Sequence, residues 1–468
     1  MLRKTKIVCT IGPASRSPTV VRKLVHTVDV FRVNFSHGDH KDHREEVSTI
    51  RREAARADKT VAILQDLPGP KVRVGKIAGG SVDLPRGSHL TLTARVVTGT
   101  ASIVPVNNPA LLASLEKGDV LHLADGVIRL RVEGKLDDGA RCSVIAGGTL
   151  SSGKGVNAPG VKLKIDYPTA SDVRHLKFGL GLGVDYVAAS FVRSPSDVRA
   201  LRKLIPSGGP LLIAKIEKKE AVKAFDDILA ESDGIMVARG DLGIEAAIET
   251  VPVLQKEFIR KSNEAGKPVI VATQMLLSMV NFPVPSRAEV TDVSTAILDG
   301  TDALMLSDET TIGRYPVEAV KVLDKIARFT ERSFHPSALP FVEGSSDTAT
   351  SIARAACRLA DYVGAKAIVA PTQTGSTARR VSKFKPNQPI LAMCTSPSVA
   401  RRLMLYRGVL PVVSRKAKSV DWLFERADST AEALGLARKG ERVVVTSGTP
   451  GMMGTTNLIK VSVVGSRG

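Results

Sequence analysis

The chain has 468 residues, 43% of them hydrophobic and 24% charged, with 66 Lys plus Arg against 47 Asp plus Glu and a formal net charge of +19. That length allows roughly three domains, or fewer if one is a barrel, and the composition excludes a disordered, collagen-like or multi-span membrane chain. The basic residues are scattered and aromatics make up only 4%, so the charge reads as attraction for small polyanions rather than for nucleic acid or a membrane.

In chain order, residues 1–6 hold no apolar signal core and run directly into a strand pattern. The four cysteines, Cys9, Cys142, Cys357 and Cys394, form no C-x-x-C pair, which predicts a reducing, cytoplasmic location without zinc or disulfides. Val/Ile/Leu runs occur at 6–11, 28–36 and 61–67, and again at 185–191, 211–217, 234–241, 269–275 and 303–309. Near-continuous apolar strands are buried on both faces, as in parallel sheets. Between them, Ser286 and Glu289 fit a capping box, Ser194-Pro195-Ser196-Asp197 opens a helix, and 254–264 and 317–329 carry helical spacing.

Eight such strands predict an α/β fold with a (β/α)8 TIM barrel over 1–70 and 166–335. The interval 71–165 alternates at 89–97, 120–132 and 141–146 between Gly-rich turns. It predicts an inserted small antiparallel β-domain, a β-barrel lid over the catalytic face. After a linker at 336–346, helices at 348–363, 376–384 and 397–406 alternate with strands at 366–370, 389–393, 409–413, 442–446 and 458–464. They predict a C-terminal open α/β domain over 336–468.

Each of the eight runs ends in polar residues: Thr10; Arg32, Asn34 and Ser36; Asp66; Ser190; Lys215 and Glu217; Arg239 and Asp241; Thr273 and Gln274; Ser307 and Glu309. In a barrel those ends share the face that holds the active site. Glu217 and Asp241 on adjacent strands suit Mg²⁺, which takes hard oxygen ligands and leaves positions for substrate. Lys215, two residues before Glu217, lies on the same strand face. An ammonium beside a metal suits charge developing on a phosphoryl group or an enolate; a structural ion pair is the alternative.

Gly240-Asp241-Leu242-Gly243, at a strand-to-loop turn, offers backbone N–H groups to a carboxylate or phosphate, and Thr273 adds a hydroxyl. Asn34, Ser36 and Asp66 supply three oxygens for a cation, or cap their strands. Arg32 and Arg73 suit a bidentate phosphate clamp. Thr372-Gln373-Thr374-Gly375-Ser376-Thr377, between a strand and a helix, has the hydroxyls of an anion site or of a simple N-cap.

The motifs at 5–14 (TKIVCTIGPA), 32–38 (RVNFSHG), 155–159 (GVNAP), 237–243 (VARGDLG), 272–275 (ATQM), 287–293 (RAEVTDV), 298–302 (LDGTD) and 315–320 (YPVEAV) resemble the pyruvate kinase family over essentially the whole chain. The resemblance implies phosphoryl transfer from phosphoenolpyruvate to ADP in glycolysis, giving pyruvate and ATP, with Mg²⁺ or Mn²⁺ as cofactor and a homotetrameric assembly. It implies that Glu217 and Asp241 hold the metal and that Lys215 neutralises the transferring phosphoryl group. Gly240, Asp241 and Thr273 would bind the substrate carboxylate, and Thr273 and Ser307 would position the water that protonates the enolate. Arg32, Asn34, His37, Arg73 and Lys154 would reach the phosphates, with Asp125 and the rest of the insert closing over the nucleotide. Thr372, Thr374, Gly375, Ser376 and Thr377 would take the phosphate of a sugar-phosphate or nucleotide effector.

Three departures matter. Relatives that need K⁺ carry Glu where this chain has Lys71, so activity without K⁺ is expected. A vestigial monovalent-cation site at Asn34, Ser36, Asp66 and Leu67 would then have Lys71 as its internal cation. Asp42 replaces an aromatic that relatives place near the base, and Asp308 replaces a glycine. An Mg²⁺-dependent aldolase or lyase acting on a pyruvate enolate is the alternative, but it needs neither a lid nor a phosphoryl clamp.

Overall fold

Lys6–Thr10 (β1), Val30–Asn34 (β2), Ala62–Asp66 (β3), Tyr186–Ala189 (β4), Leu211–Ile216 (β5), Gly234–Ala238 (β6), Val269–Ala272 (β7) and Ala303–Leu306 (β8) close into one barrel. Every neighbouring pair is parallel, and β8 returns to β1. The computed structural model describes residues 2–161, 165–333, 347–416, 419–448 and 456–466; the expected linker at 336–346 lies outside them.

The apolar runs form strands because both faces are covered. One set of side chains packs outward under the helices. The other fills the barrel, with Val8, Leu64, Ile213, Met236 and Ile270 in a single cluster that also takes in Met404 and Leu405 from the C-terminal region. The strands are shorter than the apolar runs. At 234–241 the element itself changes: β6 stops at Ala238, and Arg239–Glu245 is a helix, not a strand end.

Ser286 and Glu289 make the expected capping box on Arg287–Leu298, each bonding back to the other's backbone. Ser194 precedes the helix Pro195–Arg202 but does not cap it; its hydroxyl pairs with Ser196 instead, at 2.7 Å.

The insert between β3 and β4 gathers a six-stranded and a two-stranded sheet around its own core, which includes Leu92, Leu121, Leu130 and Cys142. Strand pairing within its sheets is antiparallel except between His89–Thr93 and Ile103–Pro105, which run parallel, and a single parallel bridge joins Ile77 to Gly99. The stretch 120–132 is two strands, Val120–Leu123 and Ile128–Leu136, separated by a tight turn.

In the C-terminal region Ala367–Thr372 (β9), Ile390–Cys394 (β10), Val409–Val413 (β11), Arg442–Ser447 (β12) and Leu458–Val463 (β13) form an open sheet in the order β11-β10-β9-β12-β13. Only the last pair is antiparallel. This sheet is fastened to the end of the barrel opposite the polar strand termini. Tyr186 donates its hydroxyl to Arg402 O at 2.6 Å, Lys6 Nζ donates to Val409 O at 2.7 Å, and Lys385 pairs with Asp302. The four cysteines are free and buried. Among the described residues no helix is long and apolar enough to cross a membrane.

Candidate active site

The β4–β5 register sets Ala189 beside Ala214, which brings Ser190 and Lys215 together just beyond it. Lys215 Nζ lies 2.7 Å from Ser190 Oγ, 2.9 Å from Glu217 Oε1 and 3.3 Å from Asp66 Oδ1. Asp66 Oδ1 also accepts from Ser190 Oγ, and Asp66 Oδ2 accepts from Arg32 Nε at 2.7 Å. Arg32 in turn donates to Thr10 Oγ1 at 3.1 Å. A chain of alternating charge, Arg32–Asp66–Lys215–Glu217, thus crosses the mouth of the barrel. Burial opposes the charges of Asp66, Lys215 and Glu217. Even so, Lys215 and Arg32 hold the Asp66 carboxyl below its ordinary range, and Asp66 and Glu217 keep the Lys215 ammonium protonated above its own.

Glu217 differs. Burial, reinforced by the negative charge of Asp241, pushes its pKa up against the pull of Lys215 and the Phe191 N–H, which donates to Glu217 Oε2 at 2.7 Å. A carboxylate whose charge is disfavoured by a second carboxylate beside it belongs to a donor set that a divalent cation relieves. No group of three or more His, Cys, Asp or Glu among the described residues is placed to hold a metal. A two-carboxylate site fits Mg²⁺ or Mn²⁺, because such ions keep positions for water and substrate oxygens.

Asp241 sits in the first turn of Arg239–Glu245, where the helix dipole favours a carboxylate. Its Oδ1 is 3.4 Å from Lys71 Nζ. The neighbouring glycine departs from expectation: Gly240 N–H is not open to a ligand but donates to Thr273 Oγ1 at 2.8 Å, and that hydroxyl donates to Ala272 O. Thr273 has φ +70° and Gln274 φ +56°, costly for a β-branched residue. Arg239 braces the turn, donating to Thr273 O at 2.7 Å while paired with Asp292. It is therefore a strut under Thr273.

Ser307 Oγ is buried and makes no hydrogen bond to the protein. Its N–H donates to Glu309 Oε2 at 2.8 Å, and Glu309 Oε1 accepts from Leu276 N at 2.9 Å. Burial pushes the Glu309 carboxyl up.

The outer rim carries the remaining cations. Burial lowers the His37 pKa, and Arg73, Lys71 and Arg32 lower it further while Asp308 opposes them, so these groups share one edge of the site. Arg73 donates to Gly153 O at 3.0 Å beside the exposed Lys154. The three-oxygen cation site is not assembled as expected. Asn34 Oδ1 accepts from Ser36 N at 3.1 Å, a local cap, and both Asp66 oxygens are taken by Arg32, Ser190 and Lys215. Leu67 is buried, its N–H bonded to Ala188 O. Lys71 lies toward Asp241 and 5.6 Å over the Phe191 ring.

The insert reaches the same place. Asp125 (φ +58°) and Gly126 form the turn between Val120–Leu123 and Ile128–Leu136, and a Cβ on Gly126 would lie 4.0 Å from Ile244 Cγ1. At the hinge, Glu245 is gripped by Lys218 at 2.6 Å and by Asn157 at 3.3 Å. The helix carrying Asp241 is therefore in contact with the lid at its far end.

Asp42 completes a capping box with Asp39 on His40–Arg56 and faces Arg16. Asp308 is exposed at the start of the short helix Asp308–Thr311. In the C-terminal loop, Thr372 Oγ1 accepts from Gly375 N at 2.9 Å and Thr377 Oγ1 meets Thr456 Oγ1 in the interior. Two hydroxyls of the expected anion loop are therefore spent on its own structure. Thr374 is exposed and Ser376 half-buried. In the sequence Ser190 is only one more polar strand end; its part is concealed there because its contact with Lys215 depends on strand pairing.

The chain matches the family descriptions "Pyruvate kinase, barrel domain" over residues 2–320 and "Pyruvate kinase, alpha/beta domain" over 350–462. It is 48% identical over 472 residues to pyruvate kinase 2 of Synechocystis sp., covering 99% of this chain and 79% of that one. It is 42% identical over 467 residues to pyruvate kinase of Thermotoga maritima, covering 98% and 99%. A crystal structure of a pyruvate kinase from Cryptosporidium parvum superposes with a TM-score of 0.91 at 36% identity, covering 99% of this chain and 96% of that one. With two family descriptions spanning the barrel and the C-terminal sheet, and the Thermotoga maritima relative similar over nearly its full length, the chain belongs to the pyruvate kinase family.

Proposed function

We propose that Lys215, Glu217, Asp241 and Thr273 carry this chain's phosphoryl transfer from phosphoenolpyruvate to ADP, and that the transfer needs no K⁺. The observation that carries the reading is the Lys215 ammonium, held within 3.3 Å of Asp66, Ser190 and Glu217 at the mouth of the barrel. Its raised pKa keeps it charged at any physiological pH. It is fixed by three short contacts before substrate arrives, so it presents positive charge to a transferring phosphoryl group with little reorganisation.

Glu217 and Asp241 would hold the divalent cation, which when bound supplies positive charge to phosphoryl and enolate oxygens. Arg32, anchored on Asp66, and Arg73 on the insert orient phosphates from the edge they share with His37. Closing the insert excludes water that would otherwise hydrolyse the phosphoryl group. Substrate carboxylate binding requires Thr273 Oγ1 to release Gly240 N–H, which then turns to the ligand with Asp241 N–H. Thr273 and Ser307 border the place where the enolate carbon is protonated, and the buried Ser307 hydroxyl can hold a water there.

Independence from K⁺ is supported by Lys71, a tethered cation already at the metal carboxylate, and by the full engagement of Asp66. The family likeness supports a homotetramer, Mg²⁺ as the working ion, a cytoplasmic location, and a phosphorylated effector at the loop from Thr372 to Thr377. Light scattering tests the assembly.

The reaction is tested with a lactate-dehydrogenase-coupled assay on phosphoenolpyruvate, ADP and Mg²⁺. Lys215→Met is expected to lose at least ~10³-fold in kcat, about 4 kcal/mol, with substrate KM little moved, and to lower the thermal midpoint because Asp66 and Glu217 lose a buried partner. A variant retaining a tenth of wild-type kcat sinks the assignment, and pyruvate release without ADP points to the lyase instead.

A further inference from the structure

Behind the two carboxylates proposed for the metal stands a second charged pair. Glu217 is followed directly by Lys218, and Asp241 is followed one helical turn later by Glu245, the last residue of Arg239–Glu245. Lys218 and Glu245 are both buried, and Lys218 Nζ donates to Glu245 Oε1 at 2.6 Å. Each member of the pair is thus tied by a short stretch of backbone to one of the carboxylates in the mouth.

The two pairs act in opposite senses. In the mouth the charge of Asp241 disfavours that of Glu217, so these side chains push the end of β5 and the helix apart. Behind them Lys218 and Glu245 attract across the same gap, away from water, where the attraction is little screened. The helix has only seven residues and no side-chain cap at its start, so its placement comes from what grips its two ends. Arg239, paired with Asp292, holds one end, and Glu245 holds the other.

The insert shares this grip. Glu245 Oε1 also accepts from Asn157 Nδ2 at 3.3 Å. Asn157 ends the insert strand Val156–Asn157, which pairs with Val120–Leu123, and that strand runs into the turn whose Gly126 faces Ile244. The insert therefore meets the helix at two consecutive residues, Ile244 and Glu245. Glu245 Oε2 is buried and accepts no hydrogen bond from the described residues. It belongs to the lining of a cavity of about 30 Å³ between Val72, Leu111 and Val156 of the insert and Phe191 of the barrel. Such a space holds about two waters, so the carboxylate has room to turn as the insert moves.

We propose that Lys218 and Glu245 are positioning residues that set the spacing of Glu217 and Asp241, and that Asn157 links this spacing to the position of the insert. The inference rests on the reading that Glu217 and Asp241 hold the divalent cation, and it adds what places them. A shift of the insert pulls on Glu245 through Asn157, and Asp241, one turn away on the same short helix, moves relative to Glu217. The link runs in both directions: an ion that fixes the two carboxylates also restrains the insert.

The test uses the full-length protein and Mn²⁺ alone, with binding read by water proton relaxation beside thermal unfolding. Lys218→Met and Glu245→Gln are each expected to weaken Mn²⁺ binding at least fivefold and to lower the thermal midpoint, while Lys218→Arg stays within twofold of the wild type. In Lys218→Met/Glu245→Leu no buried charge is stranded, so the midpoint should recover while Mn²⁺ binding stays weak; a merely structural pair recovers both. Mn²⁺ should also slow amide exchange at 120–126 and 155–158 at least threefold in the wild type and not in Asn157→Ala. Unchanged Mn²⁺ binding in both single variants, binding that recovers with the midpoint in the double variant, no slowing in the wild type, or equal slowing in Asn157→Ala each overturns the proposal. Should the single variants fail to fold, the double variant decides. A wild type that takes up no Mn²⁺, or a Glu217→Gln variant that binds it as tightly, overturns the metal reading and the proposal with it.

Discussion

Lys71 Nζ stands 3.4 Å from Asp241 Oδ1, so a lysine from the first residues of the insert neutralises one of the two carboxylates proposed to hold the metal. Two cations cannot share that oxygen without repelling each other, and Lys71 must give way, or shift toward the phosphates near His37, when a divalent ion binds. Lys71→Met is expected to bind Mn²⁺ about threefold more tightly without substrate, read by water proton relaxation, while losing kcat that K⁺ partly restores. In the wild type, K⁺ added to tetramethylammonium buffer should stimulate less than about tenfold, ~1.4 kcal/mol. Stronger stimulation refutes the internal-cation role.

Glu309 joins Ser307 to Leu276 through two accepted N–H bonds, and burial raises its pKa above 4.5. Below the unfolded pKa both states are protonated and nothing is lost. As pH rises past about 4.5 the unfolded state ionises first, and stability falls until the folded pKa is passed. Glu309→Gln removes that limb. Its thermal midpoint relative to wild type should therefore rise from pH 4.5 to pH 8. A difference that is flat or falls with pH contradicts the raised pKa. The amide cannot accept both N–H bonds as a carboxylate does, so kcat should fall several-fold through misplacement of Ser307.

How far the site was legible depends on whether its geometry is local. Lys215 and Glu217 are two residues apart on one strand, and that spacing is enough to put them together. The contact of Lys215 with Ser190 and Asp66 spans three strands and exists only once the barrel closes. The eight strands were legible because burial on both faces leaves an apolar run, but their ends were placed too late at Arg239. Arg239–Glu245 has too few apolar residues to show a helical period, and its helix is set by the bracing of Arg239 and the grip on Glu245. The helix Val420–Ala433 is not among the expected elements, although Leu423, Ala427 and Ala431 recur every four residues and are buried. The spent hydroxyls of Thr372 and Thr377 could not be foreseen, since one partner, Thr456, is 79 residues away.

Asp308 places a negative charge on the rim that Arg32, Lys71 and Arg73 make positive, as their opposed effects on His37 show. An exposed carboxylate there repels incoming phosphates at a strength that salt screens. Asp308→Asn keeps a helix-starting side chain and removes the charge. Its KM for ADP should drop two- to fivefold at low ionic strength and by less than twofold at 0.5 M salt, with kcat unchanged. A rise in KM, or an equal effect at both salt concentrations, rules out the electrostatic account.

The barrel and the C-terminal sheet are joined by a buried ion pair between Asp302, at the foot of β8, and Lys385. Asp302 also accepts from Arg407 N at 3.1 Å and from Val269 N at 3.1 Å, so it ties the two domains and the start of β7 at once. Removing one member of such a pair strands the other, typically at about 3–5 kcal/mol, whereas removing both costs far less. Lys385→Met is expected to lower the apparent thermal midpoint by several degrees, and adding Asp302→Asn should recover part of the loss. Because β7 leads to Thr273, the single variant should also raise the half-saturation for phosphoenolpyruvate more than it lowers kcat. Additive effects of the two substitutions on stability would show that the pair does not couple the domains.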